Sequence, residues 1–157
     1  TADEKSWLGE IKALEVQIED QEEGALTRLI EVCTAYLELW PENIAIRRDF
    51  AMLLVNSQRY ELALPELKTL LAWNSENASL RRLVARVYFK CGDYQGAALL
   101  FKGLLRENPR NFKDLLEFIH ALQHAGATNY AKLVLEKARP IFLKREKVLD
   151  ELEAKLN

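Results

Sequence analysis

Glycine and proline are scarce in this sequence, six and four residues among 157, while Leu, Ala, Glu, Lys and Arg are plentiful. Such a balance argues against turn-rich β architectures and towards helices. Cysteine is nearly absent. Cys33 and Cys91 form no CxxC pair and no disulfide framework, so they leave the compartment open and read as core-filling thiols. No apolar run approaches the roughly 20 residues that a membrane helix needs. The chain is therefore expected to be soluble, with cytoplasm and periplasm both open. The opening TADEKSWLGE is acidic and polar, unlike a secretory signal, and its start at Thr1 is expected of a processed or excised piece. Serines are few, with no nucleophile elbow and no triad pattern, so no catalysis and no cofactor are expected.

What the sequence does have is apolar content, 49% of residues, enough for the core of one domain spanning 1–157. Its net charge of −2 conceals an asymmetry. Residues 1–42 hold eleven acidic and three basic side chains, a balance of −8, and residues 43–157 hold thirteen acidic and nineteen basic, a balance of +6. An asymmetry of this kind marks either an interaction surface or simply a solvated acidic helix.

Internal repetition carries most of the information. Asn43, Asn77 and Asn111 fall 34 residues apart, each opening an apolar-periodic segment. Ala63, Ala97 and Ala131 share that spacing, as do Ala51 and Ala85, Phe50, Val84 and Phe118, and Leu54, Tyr88 and Leu122. So do Leu67, Phe101 and Leu135, and Gly24, Gln58, Gly92 and Gly126. Within a unit, Leu80, Leu83, Val84, Val87 and Tyr88 recur at helical steps, and Tyr94, Ala97, Ala98, Phe101 and Leu104 form a second stripe after Gly92 and Asp93. Each unit is a helix hairpin with Asn suited to the N-cap. A lone hairpin cannot bury its apolar face, so neighbours must stack. The stretch CGDYQGAALLF, residues 91–101, looks at first like a phosphate-cradling loop. The helical segment before it and Ala97, Ala98 and Leu99 after it exclude that reading. Gly92 and Asp93 are turn and cap, and Gly96 is a small residue in the next helix's first turn.

With small residues Ala51, Ala85, Ala63, Ala97, Ala131 and Ala138 at helix contacts, Gly92-Asp93-Tyr94 at the turn and Pro109 near the end, residues 43–144 resemble three tetratricopeptide (TPR) repeats. The repeats would be 43–76, 77–110 and 111–144. The resemblance implies an all-α solenoid of antiparallel hairpins forming a right-handed superhelix. Arg47, Arg81 and Leu115 stand where the family has its early tryptophan, and Ile119 where a small residue is usual. Pro65 should cost a hydrogen bond and bend its helix. Residues 9–42 read as a degenerate N-terminal hairpin, polar at Gln17 and Asp20. After Pro140, residues 141–157 carry the stripe Ile141, Val148, Leu149, Leu152 and Leu156, either a capping helix or a self-association surface.

The resemblance also implies a concave groove lined by each first helix. Carried onto this sequence, its positions are Arg48, Met52, Val55 and Asn56, then Ser79, Arg82, Arg86, Phe89 and Lys90, then Lys113, Glu117, His120, Gln123 and His124. Arg82, Arg86 and Lys90 are spaced by four and read as a basic row. Arg48 and Lys113 match two positions of the family's carboxylate clamp, but Met52, Leu83 and Glu117 occupy the others. Glu117, His120 and His124 share a helix face, yet HExxH is absent and no fourth ligand is evident, so groove lining is expected and no metal. The expected function is a non-enzymatic adaptor or scaffold binding an acidic or amphipathic protein or peptide segment. A monomer or weak homodimer is expected. The alternative is a self-associating assembly element of a larger complex, such as one in a bacterial envelope or secretion system. Nucleic acid is not expected, since the net charge is negative and no aromatics alternate with the basic row.

Overall fold

The computed structural model describes residues 2–22 and 24–157. Among the described residues the regular structure is helical. Its elements are α1 (Ala2–Glu19), α2 (Ala25–Leu39), α3 (Ile44–Asn56), α4 (Tyr60–Trp73), α5 (Ala78–Lys90), α6 (Tyr94–Glu107), α7 (Phe112–His124), α8 (Thr128–Ala138), a 3-10 turn (Leu143–Arg145) and α9 (Glu146–Leu156). None of these helices is long and apolar enough to cross a membrane. Contacts divide the chain into two compact units, Thr1–Glu66 and Leu67–Asn157.

The 34-residue columns become structural positions. Asn43, Asn77 and Asn111 are the N-caps of α3, α5 and α7, accepting from the backbone N–H of Ile46, Leu80 and Asp114 at 3.1, 3.0 and 3.0 Å. Each cap satisfies one of the N–H groups that a helix start leaves without a partner. Gln58, Gly92 and Gly126 all sit at positive φ, 59°, 82° and 78°. Around each, the next residue's N–H reaches back to close the helix end: Arg59 to Leu54, Asp93 to Tyr88 and Ala127 to Leu122, at 2.7, 2.9 and 2.9 Å. That is the Schellman closure, and it needs the left-handed conformation that favours glycine. The alanine column Ala63, Ala97 and Ala131 is fully buried, as are Ala51 and Ala85.

In the N-terminal unit α1 packs on α2, and α2 on α3. Ile11 and Leu14 of α1 and Leu29, Val32 and Cys33 of α2 are buried there. Burial pushes the Cys33 thiol up to about 12, helped by the Glu15 charge, which makes it an inert core residue. Tyr36 is fully buried; its hydroxyl donates to Glu4 at 3.0 Å and accepts from the Asn43 amide at 2.7 Å, tying α1, α2 and the start of α3 together. Here the sequence columns shift. The first helix begins at Ala2, not near residue 9, and closes at Gln21 (φ 60°), so Gly24 starts α2 instead of ending α1.

Arg47 and Arg81, two of the three departures from the early tryptophan, do equivalent work. Arg47 is only 8% exposed, pairs with Glu66 and donates to the Pro41 carbonyl at 2.7 Å. Arg81 forks onto both Glu107 oxygens at 2.6 Å and reaches the Glu76 carbonyl at 3.4 Å. Each guanidinium fastens its helix to the preceding turn. α4 runs on through Pro65.

In the C-terminal unit, α5 to α8 pack each on the next, and α9 closes the stack against α8. Val84, Ala85, Phe101, Ile119 and Leu135 are buried, and Ile119 is accommodated at 1% exposure. The C-terminal stripe docks in part. Leu149 and Leu156 are buried and Val148 and Leu152 half-buried, but Ile141 is 46% exposed because the helix begins only at Glu146. Arg139 anchors α9 by donating to Asp150 at 2.8 Å and to Glu153.

Candidate functional site

The first helices of the C-terminal unit, α5, α7 and the closing α9, present one face. α5 and α7 start at the Asn77 and Asn111 caps, and helical geometry puts residues four apart side by side on that face. Arg82 donates through Nε and a terminal nitrogen to both oxygens of Asp114, at 2.6 and 2.7 Å. Asp114 is 1% exposed, so this is a buried bidentate pair joining α5 to α7. The bond holds the Arg82 guanidinium above its ordinary range. Arg86 donates to Glu117 at 3.3 Å.

These pairings neutralise two members of the basic row. Of Arg82, Arg86 and Lys90, only Lys90 is exposed with no ion-pair partner among the described residues. Arg82 is a structural clasp, and a Glu there would face the buried Asp114 carboxylate. Charge-reversing it tests folding as much as recognition.

Phe89 is the centre of a ring cluster. It stacks on His120 at 4.9 Å and meets His124 and Tyr94 edge-on, each at 5.0 Å. His120 and His124 lie 4.4 Å apart with perpendicular rings, and the His124 Nδ1 is 3.0 Å from the His120 carbonyl. Desolvation, then the charges of His124 and Lys155, lower the His120 pKa against an opposing Glu117. Among the described residues no three His, Cys, Asp or Glu side chains gather as a metal site.

Beside the cluster a cleft of about 480 Å³ opens between α7 and α9. Leu116, Ile119 and Leu152 line its apolar part, and Lys113, Glu117 and Lys155 its polar part. Val148, Leu152 and Lys155 are contributions from α9 that the groove columns did not include. The C-terminal stripe already held Val148 and Leu152, and Lys155, outside that stripe, follows Leu152 by three residues. In the N-terminal unit, Arg48, Met52 and Asn56 lie along one exposed face of α3. Arg48 there pairs with Asp49 at 3.2 Å, and Met52 is 39% exposed.

Asn-capped, Schellman-closed helix hairpins at a 34-residue period, with an alanine column at the helix contacts, define a TPR-like helical-repeat fold. Solved structures agree. A MamA structure (AMB-1) superposes with a TM-score of 0.62 at 24% identity, over 82% of this chain and 70% of that one. Another crystal structure of MamA gives 0.62 at 16% identity, over 93% and 78%. A tetratricopeptide repeat protein from Parabacteroides merdae gives 0.60 at 21% identity, over 96% of this chain and 57% of that one. At these identities the likeness is one of fold. By sequence, the chain matches no family model and no curated protein.

Proposed function

We propose that this protein is a non-enzymatic interaction module that holds a segment of a partner protein on the α5–α7–α9 face. The observation that carries this reading is the cleft between α7 and α9. An apolar floor flanked by Lys113 and Lys155, with the Phe89 ring cluster alongside, suits an amphipathic segment whose apolar side chains fill the cleft and whose carboxylates meet the lysines. With Arg82 and Arg86 already neutralised, Lys90, Lys113 and Lys155 supply the charge preference. In the N-terminal unit, the exposed α3 face of Arg48, Met52 and Asn56 is proposed by itself as a contact for a partner segment. The TPR-like fold supports it by general association with protein scaffolding.

A short segment buries less than the roughly 1,600 Å² of a standard interface, so micromolar, salt-sensitive binding is expected. Selection of displayed random peptides on the full chain tests this. Enriched peptides should combine apolar residues with acidic ones, and Lys113→Glu/Lys155→Glu should lose them while Arg106→Glu/Lys137→Glu keeps them. No enrichment, or enrichment indifferent to the Lys113 and Lys155 reversals, refutes the site.

A further inference from the structure

A second surface of the C-terminal unit lies over α6 and α8, away from the cleft. Two apolar cavities of about 360 and 240 Å³ open there, both bordered by Lys102 and Phe118. Leu99, which lines the smaller cavity, is 71% exposed, and Leu133, its counterpart on α8, is 46% exposed. These two leucines are 34 residues apart, so the exposure repeats with the fold. Ile141 extends the surface at its far end. The rim is basic. Lys102 lies 5.5 Å from the centre of the Tyr130 ring, and Arg106 and Lys137 are exposed. Among the described residues none of these three cations forms an ion pair, whereas Arg81, Arg82, Arg86 and Arg139 in the same unit all do.

The complementary surface is on the N-terminal unit of the same chain. Between α2 and α3 the stretch ELWPENI, residues 38–44, exposes Leu39 at 59% and Ile44 at 55%. Glu38 and Glu42 beside them are exposed, with no ion-pair partner among the described residues. The turn is held in shape, with Trp40 N–H donating to the Tyr36 carbonyl at 2.9 Å and Asn43 N–H to the Trp40 carbonyl at 3.2 Å. The whole N-terminal unit has fourteen acidic and six basic side chains, a balance of −8. The other unit has ten acidic and sixteen basic, a balance of +6.

We infer that the α6–α8 surface docks the 38–44 turn of a second copy of this chain. Leu39 and Ile44 enter the apolar cavities, and Glu38 and Glu42 meet Arg106 and Lys137. Exposed apolar area with a charged rim is the ordinary composition of an association surface. Opposite charge on the two units steers the encounter and fixes which surface meets which. Because the two patches differ, the contact is heterologous. Every added copy leaves one patch free at each end, and the chain of contacts grows or closes into a ring.

Sedimentation velocity of the full chain, over a concentration series at low and high ionic strength, reads this out. The wild type should associate with rising concentration and dissociate in high salt. Arg106→Glu/Lys137→Glu and Glu38→Lys/Glu42→Lys should each weaken association at least about tenfold. All four positions are exposed, so helicity by circular dichroism should not change. An equimolar mixture of the two variants should recover association, since the unaltered turn of one meets the unaltered surface of the other and the two reversed patches are again of opposite charge. A wild type that stays monomeric overturns the inference, as does association that survives either variant or a mixture that stays monomeric. Pelleting of a monomeric wild type with phosphatidylserine vesicles, abolished by Arg106→Glu/Lys137→Glu, would also overturn it by assigning the surface to anionic lipid.

Discussion

Replacing Asp114 with Ala would leave the Arg82 guanidinium facing an apolar seam with its carboxylate gone. Breaking a buried pair costs about 3–5 kcal/mol, and Arg82 keeps some access to water, so roughly 2–3 kcal/mol is expected for Asp114→Ala. Denaturant melts of wild type and variant measure it. Asp114→Asn, which retains one acceptor oxygen, should fall between them. His120 supplies a pH dependence that comes first from desolvation instead of from pairing. Its folded-state pKa is lowered, so the unfolded chain binds the proton first and stability falls as pH drops below about 6.5. Glu117 limits the effect, while His124 and Lys155 enlarge it. Thermal melts between about pH 7 and pH 5 should show the decline, and His120→Phe, which keeps a ring against Phe89, should flatten it. Gly96 shows how a single residue escapes a reading made by columns. A Cβ there would lie 2.7 Å from the Asp93 carboxylate, whose oxygen accepts the Gly96 N–H at 2.8 Å. Gly96 leaves room for its own helix cap, which makes it more than a small residue.

At the scale of the element, the left-handed column separates two kinds of repeat. Gln58 carries a side chain at φ 59° where its equivalents Gly92 and Gly126 carry none. An L-residue in that region costs about 1–2 kcal/mol, and glycine's extra freedom in the unfolded chain returns part of the difference. Gln58→Gly should therefore stabilise by about 0.5–1 kcal/mol, and Gly92→Ala should destabilise by about 1–2 kcal/mol, both read from denaturant midpoints. A loss of stability in Gln58→Gly would show that the Gln58 side chain contributes more than its backbone costs. The legibility of the fold follows from the same distinction. Caps, Schellman turns and alanine contacts repeat because they are local backbone problems solved the same way each time, so a fixed period exposes them. The neutralisation of the basic row was not legible because pairing is not local. Arg82 and Arg86 find Asp114 and Glu117 one repeat along, on another helix, and spacing along α5 alone cannot reveal a partner there. The start of α9 was misplaced because Ile141 fits the apolar stripe by period, while the chain after Pro140 turns before becoming helical. The cleft was half legible. Its α7 side followed from the repeat, and its α9 side lies where the repeat ends.

At the scale of the whole chain, a repeat fold spreads stability by contact between neighbours instead of through one central core. The C-terminal unit illustrates the consequence, since α5 to α9 each pack on the next. Leu149 is fully buried and belongs to the same apolar cluster as Leu135, Phe118, Phe101 and Ala85. Removing it with Leu149→Ala should cost about 2–5 kcal/mol, the range for a buried leucine left as a cavity. In a single-core protein such a loss would lower protection everywhere at once. Here the neighbour rule predicts a gradient. Amide hydrogen exchange should quicken most in α9 and α8, less in α7, and least in α5 and α6. Because the cleft between α7 and α9 depends on the same leucine's packing, peptide binding at Lys113 and Lys155 should weaken in step with α9 protection. Exchange that accelerates uniformly from α5 to α9 would mean that the unit melts as one cooperative body, and that α9 is part of its core more than a cap.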